Sequence, residues 1–447
     1  MGYRVKRFIC RFLAVTLVLS SLARPAAAQN LSLISDAETE GMVRELAEPI
    51  FAAAGLTTDS VSVHIVNDRS LNAFVAGGQR IFLFTGLLVE ADGPNQIIGV
   101  LAHETGHIAG GHLARTQDAL RGASAIAVLS AVLGVAAAVA GGGAAGAAVI
   151  GGGAQAAGQS ILQYSRTQES AADQAAVRYL NDTGQSSRGL IEVLEKLGDQ
   201  EALLSSNQSS YARTHPLSRE RIIALEHQMK QSRYSDVASA PEQVARFNRV
   251  KAKVKAFLDP RRALRDYPES DDSIAGRYAR AIAHYRTTNI ERALTEVEEL
   301  INDNPEDPYF HELKGQILYE TGGREKAIPP NAEAVRLAPH EPLFRLALAQ
   351  AMVAMNDPAL NREAIVHLQE AVRMNRELGG AWAQLAIAYG RDQQFGQSSL
   401  ASAEQALLAG NLADARQHAT RAERLLPAGS PGQLRAQDIL SAAKPRR

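Results

Sequence analysis

Cysteine is almost missing from this 447-residue sequence, and the one present, Cys10, sits near the N-terminus. One thiol cannot form an internal disulfide, so a disulfide-framed fold is excluded. Aromatic residues are sparse too, at 5% against 46% hydrophobic residues overall, while Ala and Gly are plentiful. That balance disfavours a large β-sandwich and favours closely packed helices. Neither sign of charge dominates: 47 Lys and Arg against 48 Asp and Glu leave a net charge of −1, which gives no electrostatic case for binding nucleic acid. With 21% charged residues the chain is globular rather than disordered. Its length suits about two or three domains.

The apolar run from Phe12 to Leu22 is short of the about 20 residues that a membrane span needs. Arg4, Lys6, Arg7 and Arg11 precede it, and the small residues Ala26-Ala27-Ala28 follow. This is the layout of a secretory signal peptide over residues 1–28, cleaved before Gln29; an uncleaved anchor is the alternative. Phe8-Ile9 before Cys10 do not form a lipoprotein cleavage box, so the mature chain carries no thiol. A thiol-free exported chain fits an oxidising compartment, and the bacterial-looking signal places it in the periplasm.

Beyond the signal, 36–55 has the apolar spacing of a helix, with Met42, Leu46, Ile50 and Phe51 on one face. Val61–Val66 alternates at period two and reads as a strand. Leu71–Val75 and Ile81–Phe84 read as two more, with Gly77-Gly78 turning between them. A helix is expected from Asn95, after Pro94, through His103 toward Arg115. Between Arg121 and Arg166 there is no charged residue, and two glycine triplets interrupt an Ala-rich stretch. This hydrophobic Gly/Ala-rich hairpin, at about 122–160, reads either as one touching a membrane or as a buried hairpin or lid. A helix over 163–181, a less regular stretch to Pro216 and a further helix complete a domain over 29–232. A charged segment at 233–270, with Lys251, Lys253 and Lys255, reads as a linker.

Residues 271–440 repeat. Asp307-Pro308 and Glu341-Pro342 lie 34 residues apart, each opening a helix pair. Trp382, Leu385, Ala386 and Tyr389 follow the W-x2-L-G-x2-Y pattern with Ala for Gly. Period and pattern resemble tetratricopeptide repeats, about four of them. Pro329-Pro330 is expected to kink one second helix. The fold class is therefore α+β and mostly helical: a domain with a small β-sheet, followed by an all-α solenoid.

The chemistry sits on the central helix, in His103-Glu104-Thr105-Gly106-His107. At about 100° per residue, His103 and His107 project one turn apart on one face and can reach one metal ion. Glu104 lies beside that face, placed to take a proton from water and return it to a leaving amine. Zinc needs a third protein ligand and an open position. His112 lies nine residues from His103, about 180° around a continuing helix, and is read as structural. Glu169 and Asp173 share a face of an Ala-rich helix. One carboxylate can ligate zinc while the other accepts the N–H of a ligand histidine; a solvated acidic pair is the alternative. His215 in Thr214-His215-Pro216 is either a turn residue, a displaceable fourth ligand or an oxyanion donor. His64, on a strand, is read as structural.

Together, His103-Glu104-x-x-His107, Glu169-x-x-x-Asp173 and His215-Pro216-x-x-x-x-Arg221-Ile222 resemble the gluzincin family that includes HtpX and the CAAX prenyl proteases. Asn72–Gly78 and Thr85-Gly86-Leu87-Leu88 do so as well, and a signal with a repeat tail is similar to the BepA-like periplasmic zinc metalloproteases. The resemblance implies one zinc ion per chain on His103, His107 and Glu169, with Glu104 as general base and Asp173 behind a ligand. It implies an edge strand at Asn72, Ala73 and Phe74 that holds extended substrate, and a His215 that can occupy the open zinc position. It further implies outer-membrane protein quality control in the periplasm, in association with the outer membrane, on unfolded or misassembled envelope proteins. The repeats would engage the outer-membrane assembly machinery, and peripheral membrane contact is a further expectation. The rival reading is a repeat scaffold or chaperone with secondary or latent proteolysis.

Overall fold

The computed structural model describes residues 32–116, 165–203 and 215–444, with a few isolated positions between 118 and 155. The expected signal peptide and Gly/Ala-rich hairpin lie outside the described residues. Among those residues no helix is long and apolar enough to cross a membrane.

The period-two stretch forms strand β2 (Ser62–Val66), which follows the short β1 (Leu33–Ile34). β3 (Ala73–Ala76) and β4 (Arg80–Phe84) form an antiparallel hairpin with Ala73 opposite Leu83. β2 runs parallel to β4, with Val63 opposite Ile81. The sheet order is β1-β2-β4-β3, so the chain steps out to β3 before β4 fills the centre, leaving β3 as an edge. Val63, Ile65, Ile81 and Leu83 point to one face and are buried. They join one apolar cluster with Met42, Leu46, Ile50 and Phe51 of helix α1 (Ala37–Ala53). Burying each such side chain stabilises by about 1.5–3 kcal/mol. α1 starts on a reciprocal cap: Asp36 accepts from the Thr39 N–H at 2.8 Å, and Glu40 accepts from the Asp36 N–H at 3.1 Å.

After α2 (Thr85–Glu90), the motif helix α3 (Pro94–Ala109) begins with proline in its first turn, where its missing N–H costs nothing. Its end departs from expectation. The helix stops at Ala109 instead of running to Arg115, because Gly111 adopts φ +61° and turns the chain back. Helices α4 (165–182) and α5 (Arg188–Leu203) pack against it, and α6 (Arg219–Gln231) packs against α5. α4 crosses α3 with backbones nearly touching. A Cβ on Gly106 would stand 2.8 Å from the Ala172 carbonyl oxygen, so glycine on one helix and alanine on the other set this approach.

The stretch expected to be a linker is not open chain. It holds α7 (Pro241–Leu258) and α8 (Pro260–Asp266). Phe247, Val250 and Val254 of α7 belong to the same apolar cluster as the sheet, while Ala252 and Ala256 belong to the next. The expected reading misses that apolar spacing because lysines alternate with it.

Five helix pairs follow: α9 (Ile274–Arg286) with α10 (Ile290–Asp303), α11 (Pro308–Glu320) with α12 (Arg324–Leu337), α13 (Pro342–Ala354) with α14 (Pro358–Met374), α15 (Gly379–Arg391) with α16 (Phe395–Leu408), and α17 (Leu412–Leu425) with α18 (Pro431–Ala442). The first three pairs begin at 274, 308 and 342, a spacing of 34 residues each time. The pairs exceed the expected four repeats by one. Pro329-Pro330 does not interrupt α12. Two N–H donors are lost there, yet Ala327, Asn331 and Ala334 are buried, and the Asn331 amide donates to the Ala327 carbonyl at 2.9 Å. Packing against neighbouring helices outweighs the missing donors. The described residues from Ile34 onward form one compact unit.

Candidate metal centre

α3 presents His103 and His107 one turn apart, and α4 lays Glu169 against both because Gly106 lets it approach. His103 Nε2 lies 3.1 Å from His107 Nε2 and 3.4 Å from Glu169 Oε2, and His107 Nε2 lies 3.3 Å from Glu169 Oε1. His215 closes the group: its Nδ1 stands 3.3 Å from His103 Nε2 and 3.2 Å from Glu169 Oε1. One donor atom from each of the four residues lies within 4.8 Å of the others. Four donors at zinc bond lengths of about 2.0–2.1 Å in a tetrahedron stand about 3.3–3.4 Å apart. The nitrogen and oxygen donors and their separations fit zinc.

A second observation points the same way. Glu104 is fully buried, and neither of its carboxylate oxygens has a hydrogen-bond partner among the described residues. His215 Nε2 is 3.4 Å from Glu104 Oε1. A buried carboxylate left unsatisfied is costly, so it belongs with something the protein alone does not supply, such as water or substrate.

The surroundings hold the set in place. Asp173 Oδ1 lies 3.0 Å from His103 Nδ1, on the side of the ring away from the donor cluster. This is the carboxylate–histidine arrangement that orients a metal ligand. Arg221, at the start of α6, donates to both Asp173 oxygens at 2.7 and 2.8 Å, lies 2.8 Å from Glu169 Oε2, and donates to the Pro216 carbonyl at 3.1 Å. Burial would raise the Asp173 pKa, but Arg221 and His103 bring it below the usual carboxylate value. Burial likewise opposes ionised Glu169, yet His215, His103 and His107 hold its carboxyl well below that range. Burial disfavours a charge on His103, but Asp173 and Glu169 outweigh it and push the pKa up to about 10. The pocket therefore favours positive charge, and a metal cation competes with a proton for it.

His112 does not lie on the far side of a continuing helix. The turn at Gly111 brings its Nδ1 within 3.0 Å of His107 Nδ1. Burial, then the charges of His107 and Arg115, push its pKa down to about 4, so the neutral ring can accept a hydrogen bond from the His107 Nδ1–H. His107 Nε2 is then free to face the other donors. The sequence reading also gives Arg221 no role; the signal was charge balance, since Glu104, Glu169 and Asp173 converge on an Ala-rich face that supplies no cation. Asn72 is buried and its carbonyl accepts from the Phe84 N–H at 3.1 Å, while Ala73 and Phe74 begin edge strand β3, which lies against α3. His64 stays outside the donor set and stacks on Phe82.

Fold and site together define a metallopeptidase domain joined to a helical-repeat solenoid. Residues 36–229 match the model of peptidase family M48. It is similar to the beta-barrel assembly-enhancing protease of Escherichia coli (strain K12), at 24% identity over 413 residues, covering 90% of this chain and 82% of that protein. It is also similar to a putative protein of the same description from Vibrio cholerae serotype O1, at 25% identity over 294 residues. That match covers 63% of this chain and spans 59% of the relative's length. Metalloprotease LoiP of Escherichia coli (strain K12) is 30% identical over 163 residues, covering 36% of this chain and 60% of that protein. A crystal structure of MamA aligns with 37% of this chain and 92% of its own, at 14% identity and a TM-score of 0.29, too slight a likeness to bear on function.

Proposed function

We propose that this chain is a zinc-dependent endopeptidase of the bacterial periplasm that acts on unfolded or misassembled outer-membrane proteins. The observation that carries the reading is the group of His103, His107, Glu169 and His215 donors at tetrahedral separations beside the buried Glu104 carboxylate, whose oxygens accept no hydrogen bond among the described residues. Residues His103, His107 and Glu169 would hold one zinc ion, which when bound supplies Lewis acidity toward a carbonyl oxygen and lowers the pKa of water. Glu104 takes the proton from the attacking water and delivers it to the leaving amine. Asp173 keeps the His103 ring in its binding tautomer, and Arg221 balances the carboxylates. β3, an edge of the sheet among the described residues, offers main-chain pairing to an extended substrate. The thiol-free mature chain, the basic-apolar N-terminus and the names of the similar proteins support the envelope setting, and the repeats supply a surface for partners in outer-membrane assembly.

The test is zinc stoichiometry together with casein cleavage for the wild type and Glu104→Gln. The variant should keep about one zinc per chain and lose cleavage by about 100-fold or more. Full activity in Glu104→Gln would remove the assigned role.

A second reading has its own observation. His215 Nδ1 fills the fourth corner of the donor set, where water or substrate must enter. That favours a protein that binds envelope clients first and hydrolyses only when the corner opens. Rescue of an envelope-defect strain by Glu104→Gln would support binding as the main role.

A further inference from the structure

A row of aromatic rings crosses the sheet on the face opposite its apolar core. His64 of β2 is the register partner of Phe82 of β4, and Phe82 is the register partner of Phe74 of β3. The His64 and Phe82 rings stack with centroids 5.1 Å apart and planes 25° apart; Phe82 and Phe74 stack at 5.0 Å and 14°. Phe84 meets Phe74 edge-on at 5.9 Å. All three stacked rings are half-buried, whereas Val63, Ile81 and Leu83 on the other face are buried. Burial pushes the His64 pKa down, so its ring is neutral at neutral pH and stacks as an aromatic. The row ends at Phe74, on the edge strand, and among the described residues no strand lies beyond it.

The spacing is what makes this row informative. Neighbouring strands lie about 4.7–4.9 Å apart, close to the ring separations in the row. A strand added to β3 would place one side chain at the next step of the stack. One register step away on the same face, Arg80 is paired with Glu377 of the repeats at 3.1 Å and Ala76 offers only a methyl group. One step the other way, Phe84 lies opposite Asn72, so Phe74 is the one aromatic ring that β3 carries to the edge on this face. Side chains flanking that position would point to the opposite face, on which α3 lies against β3.

We propose that Phe74 is a specificity-determining residue, selecting extended substrate segments that carry an aromatic side chain in register with the His64–Phe82–Phe74 row. This rests on the reading of β3 as the substrate-docking edge. Strands of outer-membrane barrels fit the description, because their side chains alternate in polarity and they carry aromatic girdles. A cross-strand aromatic pair corresponds to about a two- to tenfold preference.

The experiment uses the full mature chain carrying Glu104→Gln, loaded with zinc, and a set of fluorescent extended peptides. In the set, one Phe is moved through an otherwise Ala/Thr sequence, and a parallel set is N-methylated at alternate backbone positions. One Phe position should bind about two- to tenfold tighter than Ala at that position, and Phe74→Leu should bring that ratio to about one. Phe82→Leu, one step further in, should reduce the ratio without abolishing it. N-methylation on one alternate set should weaken binding whatever the side chain. Sensitivity to N-methylation with no Phe preference, or with a preference that survives Phe74→Leu, overturns the proposal and leaves the edge reading standing. Insensitivity to N-methylation, or no measurable binding of any peptide, overturns both.

Discussion

At His215 one ring meets three groups with different duties: Nδ1 faces the His103 and Glu169 donors, while Nε2 stands 3.4 Å from Glu104. A residue so placed would occupy the proposed entry position and cover the proposed general base, Glu104, at once. Removing it should release activity. An open form lying a few kcal/mol above a closed one is populated at about 10% or less, so His215→Ala should raise peptide turnover on the order of tenfold or more with zinc content unchanged. The measurement is turnover alongside metal analysis; a loss of turnover with zinc retained would instead make His215 an oxyanion donor. Much of this centre is legible from spacing. His103 and His107 are four apart, as are Glu169 and Asp173, and helical periodicity puts each pair on one face. The contact of His112 with His107 is not legible while the helix is taken to continue, because it depends on a left-handed residue at Gly111. The Arg221 bridge is not legible either, since the chain gives no measure of which carboxylates share a pocket.

Among the elements, the crossing of α3 and α4 sets the geometry of the donors. Gly106 lies within the motif, between Glu104 and His107, yet its part is to let Ala172 come close. In Gly106→Ala the added methyl would meet backbone, which cannot step aside as a flexible side chain can. α4 must then shift, carrying Glu169 away from both histidines and Asp173 from His103. The helix gains slightly from losing a glycine, about 1 kcal/mol, so the fold is expected to survive. Zinc affinity should fall about 10–100-fold, the range seen when supporting partners of a metal ligand are disturbed, as read by competition with a chelator. Unchanged affinity would mean that α4 is not held by this contact. The same packing argument explains where reading by element succeeds and fails. β2, the β3–β4 hairpin and the first helices of the repeats follow from period and turn residues. α7 is concealed because Lys251, Lys253 and Lys255 look solvated, although Phe247, Val250 and Val254 carry a helical spacing, and Lys253 is in fact buried.

At the scale of the whole molecule, that buried lysine belongs to the joint between the peptidase domain and the repeats. Lys253 Nζ lies 2.5 Å from Asp36 and 3.3 Å from Glu38, Tyr278 of α9 donates to Glu38 at 3.0 Å, and Arg249 pairs with both Glu38 and Asp307. α1, α7, α9 and the cap of α11 therefore meet on one charged knot. Acids outnumber bases there. Glu312 of α11 is pushed up to about 7 by burial and by Asp36, Glu38 and Glu341, against the opposing pull of Lys253. Its pKa in the unfolded chain is near 4.5. Between these two values the folded state binds the proton more tightly than the unfolded state does. Its contribution is thus fully present below about pH 4.5 and is lost as pH rises through about 7. Glu312→Gln carries no charge to desolvate, so its melting temperature should gain on that of the wild type as pH goes from about 6 to 8. Measured without metal, by calorimetry on both proteins at each pH, this difference cancels the groups they share, including His103. A gap that stays constant across the range would show that Glu312 remains ionised in the folded protein, and that the joint is held by its ion pairs alone.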